Sequence, residues 1–177
     1  MTARIGVIIH TSLATRLFND DDRERLNRLG DVRWTESPDP LTEEEAIQLL
    51  KGCSIAVGSW QTPHPSPRVV ASCPQLKLWE HVAGTVTRFF GSHLDGSDLM
   101  IASCKTANAD NVAQMTLAQL ITGLRRIDEN AVANRSGIAA PPTDSRVMFE
   151  STVGIVGASE VGRRVIALLQ PLRARIL

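Results

Sequence analysis

The sequence predicts an α/β protein built on parallel sheet, and three observations carry that expectation. Short apolar runs at Ile5 to Ile9, Asp31 to Trp34, Ile55 to Val57, Leu76 to Trp79 and Leu99 to Ala102 alternate with stretches of helical periodicity. These runs read as apolar on both faces, the pattern of parallel strands covered by helices on either side. A sixth run, Val153 to Val156, leads through Gly157-Ala158-Ser159-Glu160-Val161-Gly162 into a helical repeat of Val165, Ile166, Leu169 and Leu172, and Arg173 to Leu177 begins a further strand. The expected fold is a flavodoxin-like parallel five-stranded domain over residues 1–105, a connecting helix and loop over 106–146, and an incomplete Rossmann βαβ unit over 147–177 that the chain leaves inside its second strand.

Each element has its own warrant. Asp20 to Leu29 is a charged helix with Leu26 and Leu29 inward, and Thr42 followed by Glu45 is a capping box ahead of Ala46, Ile47, Leu49 and Leu50. Pro63, Pro65 and Pro67 rule out a helix interior, so Ser59 to Pro67 is a loop after the third strand. Open α/β sheets bind ligands at that carboxyl end. From Asn108 to about Val132 the apolar positions Val112, Met115, Leu117, Leu120, Ile121, Leu124 and Ile127 recur at three and four residues, predicting one long helix, and a polar loop follows from Asn134 to Arg146.

Composition excludes several classes of function. The 19 Lys and Arg balance the 19 Asp and Glu, so no net field draws in nucleic acid or an anionic membrane, and the expected partner is a small molecule or a protein. Cys53, Cys73 and Cys104 stand too far apart for a metal or redox pair, which predicts a reducing, cytoplasmic setting and no metal site. No window approaches 18 consecutive apolar residues, and the apolar run at Ile5 to Ile9 is shorter than a signal-peptide core. The segments after the first and third strands, Ile9-His10-Thr11 and Gly58-Ser59-Trp60, lack the acidic residues of a phosphoacceptor site.

The glycine turn carries the chemistry. Gly157 permits a sharp reversal, position 159 must let a pyrophosphate approach the main chain, and Gly162 lets helix and strand pack closely, so that free N–H groups at the helix start face an anion. Ser159 stands where a second glycine is usual; it keeps a small side chain and adds a hydroxyl that can donate to phosphate. Glu160 is expected to point outward, because its charge opposes a phosphate.

With those residues in view, the chain resembles the D-isomer-specific 2-hydroxyacid dehydrogenases. Leu76-Lys77-Leu78 with Val82-Ala83-Gly84-Thr85-Val86 is similar to that family's fourth strand and substrate loop, Asn108-Ala109-Asp110-Asn111-Val112-Ala113-Gln114 to its interdomain helix, and Thr152 to Arg164 to its cofactor turn. The resemblance implies an oxidoreductase that moves a hydride between NAD or NADP and a small 2-hydroxy or 2-keto acid. It implies cofactor contacts from Gly157, Ala158, Ser159, Glu160, Val161, Gly162, Arg163 and Val112. It also implies that backbone N–H groups of Ala83, Gly84 and Thr85 hold the substrate carboxylate, with Trp60 and Asn108 lining the site, and that the protein is a dimer. Thr87 and Gln114 depart from the family's usual Asp and Glu.

In that family the ribose-binding Asp and the catalytic Arg, Glu and His follow the second strand, so this chain is expected to be an inactive N-terminal fragment without catalytic residues of its own. Of its histidines, His81 beside the substrate loop is the best local acid–base candidate, although a hydrogen-bonded structural role is expected of it; His10, His64 and His93 read as loop or strand-end residues. The competing expectation is a non-catalytic carboxylate-binding or interaction module.

Overall fold

The computed structural model describes residues 2–138 and 145–177. The chain divides after Cys104 into two compact units.

The first unit is a five-stranded parallel sheet of β1 (Ala3–Val7), β2 (Gly30–Trp34), β3 (Ile55–Gly58), β4 (Leu78–His81) and β5 (Met100–Ser103), in the spatial order β2-β1-β3-β4-β5. The chain builds outward from β1 to β2, then reverses to β3 on the other side, so succession switches between β1 and β3. Both faces of the central strands are covered. Ile5, Val7 and Ile9 face one buried cluster with Leu13 and Val57, while Ile8, Ala56 and Trp79 face another with Ile47, Leu50 and Phe89. Gly6 lies close beneath that second cluster, since a Cβ there would lie 2.6 Å from Leu50 Cδ2 and the leucine would have to shift.

Helices α1 (Thr11–Leu17), α2 (Asp20–Asn27), α3 (Glu43–Leu50) and α4 (Pro67–Ser72) cover the sheet. The Thr42–Glu45 capping box of α3 is present, with Thr42 N donating to Glu45 at 2.8 Å, and these hydrogen bonds from Thr42 hold the Glu45 carboxyl below its usual range. An equivalent box, Asn19 with Asp22, starts α2. Ser66 caps α4 with Pro67 in its first position. One expectation fails here, and two helices, α1 and α4, were not foreseen. Leu29 is 68% exposed because α2 ends at Asn27, before it can turn Leu29 inward.

The second unit contains α5 (Lys105–Leu124), α6 (Ile127–Arg135), β6 (Thr152–Val153), α7 (Glu160–Leu169) and β7 (Arg175–Ile176). The single helix expected from Asn108 to Val132 is instead two. Gly123 weakens the end of α5, Arg126 takes a left-handed φ of 50°, and its guanidinium bonds Glu129, whose charge with that of Asp128 favours a new helix start. Val112, Met115, Ile121 and Ile127 of the expected apolar stripe are exposed, and it is Ala109 and Ala113 that α5 buries. Of the polar loop expected at 134–146, residues 139–144 lie outside the described residues.

The β6 and β7 strands pair in parallel, Thr152 with Arg175 and Val153 with Ile176. The buried strand expected through Val156 is shorter than that. Ile155 still receives a ladder bond, its N donating to Leu177 O at 2.8 Å, but Val156 is fully exposed. Among the described residues β6 has a neighbour on one side only, which leaves its end uncovered. No helix of the described residues is long and apolar enough to cross a membrane.

Candidate functional site

The glycine turn in the second unit joins β6 to α7. Gly157 has φ +93°, a conformation that L side chains rarely adopt, and nothing lies within 4 Å of where its Cβ would be. At Gly162 the reason for glycine is contact: a Cβ would sit 2.3 Å from Gly157 O and 3.6 Å from the Ile155 side chain. Turn and helix are therefore pressed backbone to backbone. Val165 and Leu169, buried with Ala113 of α5, hold α7 in that position.

Ser159 is the N-cap, extended at φ −68° and ψ −177°, so no glycine is needed there. Its hydroxyl makes no capping bond. The first helical bond runs from Arg163 N to Ser159 O at 2.9 Å, which leaves the N–H groups of Glu160, Val161 and Gly162 without an intrahelical acceptor. Ala158 and Ser159 are exposed beside them. Glu160 is tied to its own helix, accepting from Arg163 Nη2 at 2.8 Å and Arg164 Nη1 at 2.6 Å, and those two bonds, Arg164 first, hold its carboxyl below the usual range. An open cradle of main-chain donors with an unspent hydroxyl fits a diphosphate.

On the same unit, Asn108 and Val112 stand four residues apart on one face of α5, the first half-buried and the second 39% exposed.

The first unit gathers its candidates at the carboxyl end of the sheet. Ser59 and Trp60 follow β3, and Ser59 Oγ donates to Val82 O at 2.8 Å, which ties this loop to Val82-Ala83-Gly84-Thr85 after β4. Trp60 is 46% exposed. Gln61 next to it is left-handed at φ 60°, an uncommon position for a residue with a side chain, fixed by the Thr62 hydroxyl bridging back to Ser59 N and O. Sequence reasoning missed Gln61, since neither Gly nor Asn marks the spot.

The expectation that Ala83, Gly84 and Thr85 all offer N–H groups needs correction, because Ala83 N donates to His81 O at 2.7 Å in a tight turn. Among the described residues no acceptor bonds the N–H of Gly84 or Thr85. Thr87, where an Asp was expected by resemblance, pairs its hydroxyl with that of Thr85 at 2.6 Å.

His81 overturns a second expectation. It is 2% exposed, its Nδ1 has no partner among the described residues, and its ring meets Phe89 edge-on at 4.9 Å. Burial foremost, with the nearby Arg88 cation, pushes its pKa below the ordinary imidazole value. The folded state then binds fewer protons than the unfolded chain once the pH falls beneath about 6.5. Stability is predicted to fall progressively from there downward and to be insensitive to this group above pH 7. Thermal melts between pH 7.5 and 5.5 should show a shallower slope in His81→Gln than in the parent; equal slopes would remove the effect.

The other histidines are anchored elsewhere: His10 Nδ1 to Pro38 O at 3.1 Å, His93 Nε2 to Pro65 O at 2.7 Å, and His64 stacked on Phe89. None hydrogen-bonds a carboxylate among the described residues. Nor do those residues include a cluster of three or more groups able to hold a metal ion.

No family model matches the chain. It is 26% identical over 157 residues to the D-3-phosphoglycerate dehydrogenase of Mycobacterium leprae (strain TN), covering 84% of this chain and 28% of that protein. It is 25% identical over 177 residues to the 2-hydroxyacid dehydrogenase-like protein YoaD of Bacillus subtilis (strain 168), covering 94% of this chain and 52% of that one. The chain thus spans about half or less of the relatives it matches. Among solved structures, an acyclic imino acid reductase, Bsp5, in complex with NADPH and D-Arg superposes with a TM-score of 0.79 at 20% identity, over 97% of this chain and 54% of that one. Three of the structural neighbours are complexes with NAD or NADPH, and they share the α/β fold described above. Both curated relatives carry dehydrogenase names, and a solved D-isomer-specific 2-hydroxyacid dehydrogenase from Polaromonas sp. JS6 66 shares the fold at a TM-score of 0.75 and 15% identity.

Proposed function

We propose that this chain supplies the carboxylate-binding domain (residues 1–105), the interdomain helix and loop (106–146) and the opening of the dinucleotide-binding domain (147–177) of an NAD- or NADP-dependent D-2-hydroxyacid dehydrogenase. The observation that carries the reading is the close contact of Gly162 with Gly157 beside an open helix start, which leaves main-chain donors free for a pyrophosphate to approach.

In this reading the N–H groups of Glu160, Val161 and Gly162, with the Ser159 hydroxyl, hold the pyrophosphate, and Gly157 and Ala158 form the floor beneath it. Arg163, paired with Glu160, adds a positive charge beside them, and Val112 with Asn108 lies against the nicotinamide end. The bound nicotinamide supplies the hydride acceptor or donor. Gly84 and Thr85 N–H groups hold the carboxylate of a small 2-hydroxy or 2-keto acid, while Trp60 closes the mouth of that loop and excludes water. The three free cysteines suit a cytoplasmic protein, and the exposed apolar side chains of α5 and α6, Met115 and Val132 among them, suit a dimer.

NADH titration followed by fluorescence should saturate. Ser159→Asp keeps a good N-cap on α7 while placing a carboxylate against the pyrophosphate, so it should weaken binding by roughly tenfold or more and leave the melting temperature unchanged or higher. Equal affinity in the two proteins would contradict the assignment.

A further inference from the structure

Glu160 presents a conflict. As the first residue of α7 its carboxylate is favoured by the helix dipole, yet the same N–H groups are those assigned to an anionic pyrophosphate, which a free carboxylate there would repel. The ion pairs around it resolve the conflict. Arg164 Nη1 donates both to Glu160 Oε2 at 2.6 Å and to the Glu160 carbonyl at 3.1 Å, and Arg164 Nε is held by Asp110 Oδ1 of α5 at 2.5 Å. Arg163 bonds the other carboxylate oxygen. Within this chain of charges the Arg164 side chain is 25% exposed, against 59% for Asp110 and 62% for Arg163, so Arg164 is its sheltered centre and the other two its solvated ends.

We infer that Arg164 is a positioning residue for the phosphate corner: anchored by Asp110, it holds the Glu160 carboxylate along the side of α7 and away from the helix start, and so permits a diphosphate to bind where an acidic residue stands. The inference rests on the dinucleotide reading of the turn. Arg164 acts through Glu160 and touches no ligand, which separates its role from that of an ordinary cationic phosphate contact. The arrangement also explains why an acidic residue is tolerated at this position: the helix keeps its favourable first-turn charge, and the ligand meets a carboxylate already paired on both oxygens.

A double-mutant cycle in NADH affinity, measured by calorimetry on the whole chain, decides the matter. Arg164→Ala should weaken binding roughly tenfold, because the Glu160 carboxylate, then held by Arg163 alone, is free to swing toward the phosphate. That size lies between the roughly threefold of full water screening and the roughly hundredfold of a poorly screened surface for unit charges about 6 Å apart. Glu160→Gln alone should change it by less than about threefold, and Glu160→Gln with Arg164→Ala together should return it to within about threefold of the parent. A double mutant as weak as Arg164→Ala alone would mean that Arg164 acts on the ligand as a bare charge, and the inference would fail while the dinucleotide reading stood. No binding by either the parent or Glu160→Gln would overturn the dinucleotide reading and the inference with it. Should Arg164→Ala melt early, Asp110→Asn serves instead: it leaves every residue of α7 in place, loosens Arg164, and should weaken binding a few-fold in a manner that Glu160→Gln reverses; a loss that Glu160→Gln leaves intact counts against the inference.

Discussion

Gly162→Ala should destabilise the second unit and abolish measurable NADH binding, although alanine is the better helix former. The added methyl would stand 2.3 Å from Gly157 O, a backbone atom that cannot rotate away, so either α7 lifts off the turn or the turn opens. Overpacking of this kind costs about 1–3 kcal/mol or more. The gain in helix propensity is at most about 1 kcal/mol, so the clash wins. The same substitution at Gly123, near the end of α5 with nothing within 4 Å of its Cβ, provides the control and should be neutral or stabilising by up to about 1 kcal/mol. Thermal melts of the two variants, read alongside NADH titration, check the opposite signs. Stability and binding of Gly162→Ala equal to those of the parent would show that the close contact has no consequence.

Trp79→Ala should cost about 3–5 kcal/mol and threaten folding of the first unit outright. Trp79 is fully buried on β4 among Ile47, Val69 and Phe89, and its neighbour in register is Ala56, whose small side chain leaves the room that the indole fills. The indole Nε1 has no hydrogen-bond partner among the described residues. Leaving a donor unpaired in the core already costs about 1–3 kcal/mol, so Trp79→Phe, which removes that donor and part of the volume together, should be far milder than Trp79→Ala. Urea unfolding would reveal the order. His81 lies two residues on along β4 and rests on the same Phe89 ring, so the alanine variant should also loosen the Val82–Thr85 loop; a loop unchanged in amide exchange would separate core packing from the site.

What the residues disclosed in advance, and what they withheld, follows from how local each determinant is. The five parallel strands were legible because their apolar runs are continuous and their turns are marked, as at the Thr42–Glu45 cap, where two side chains three residues apart satisfy each other without help from the rest of the fold. The Gly157–Gly162 turn was legible for a related reason: its two glycines answer steric demands that no other residue meets. By contrast, α1 has no side-chain cap at His10 and only seven residues, so it exists by burying Leu13 and Ala14 against β1, a contact that spacing alone does not reveal.

The break at Arg126 was hidden because a continuous apolar period says nothing of a left-handed residue within it. Burial of Val156 was expected from its composition, and its exposure reflects which strands stand beside β6, which is tertiary information. The same holds for the carboxylate loop. That Gly84 suits such a loop is readable from its missing side chain; that the Ala83 N–H is already committed to His81 O depends on a turn whose Val82 carbonyl is held by Ser59 from the loop after β3. The Asp110–Arg164 pair, 54 residues apart in the chain, has no local signature at all.

The proposed function requires a dinucleotide pyrophosphate to rest on the main chain where β6 passes into α7. In amide chemical-shift mapping with NADH, the largest shifts should fall on the N–H groups of Ser159, Glu160, Val161 and Gly162. Saturation with those four resonances unmoved, or with the shifts gathered at a different part of the chain, would contradict it.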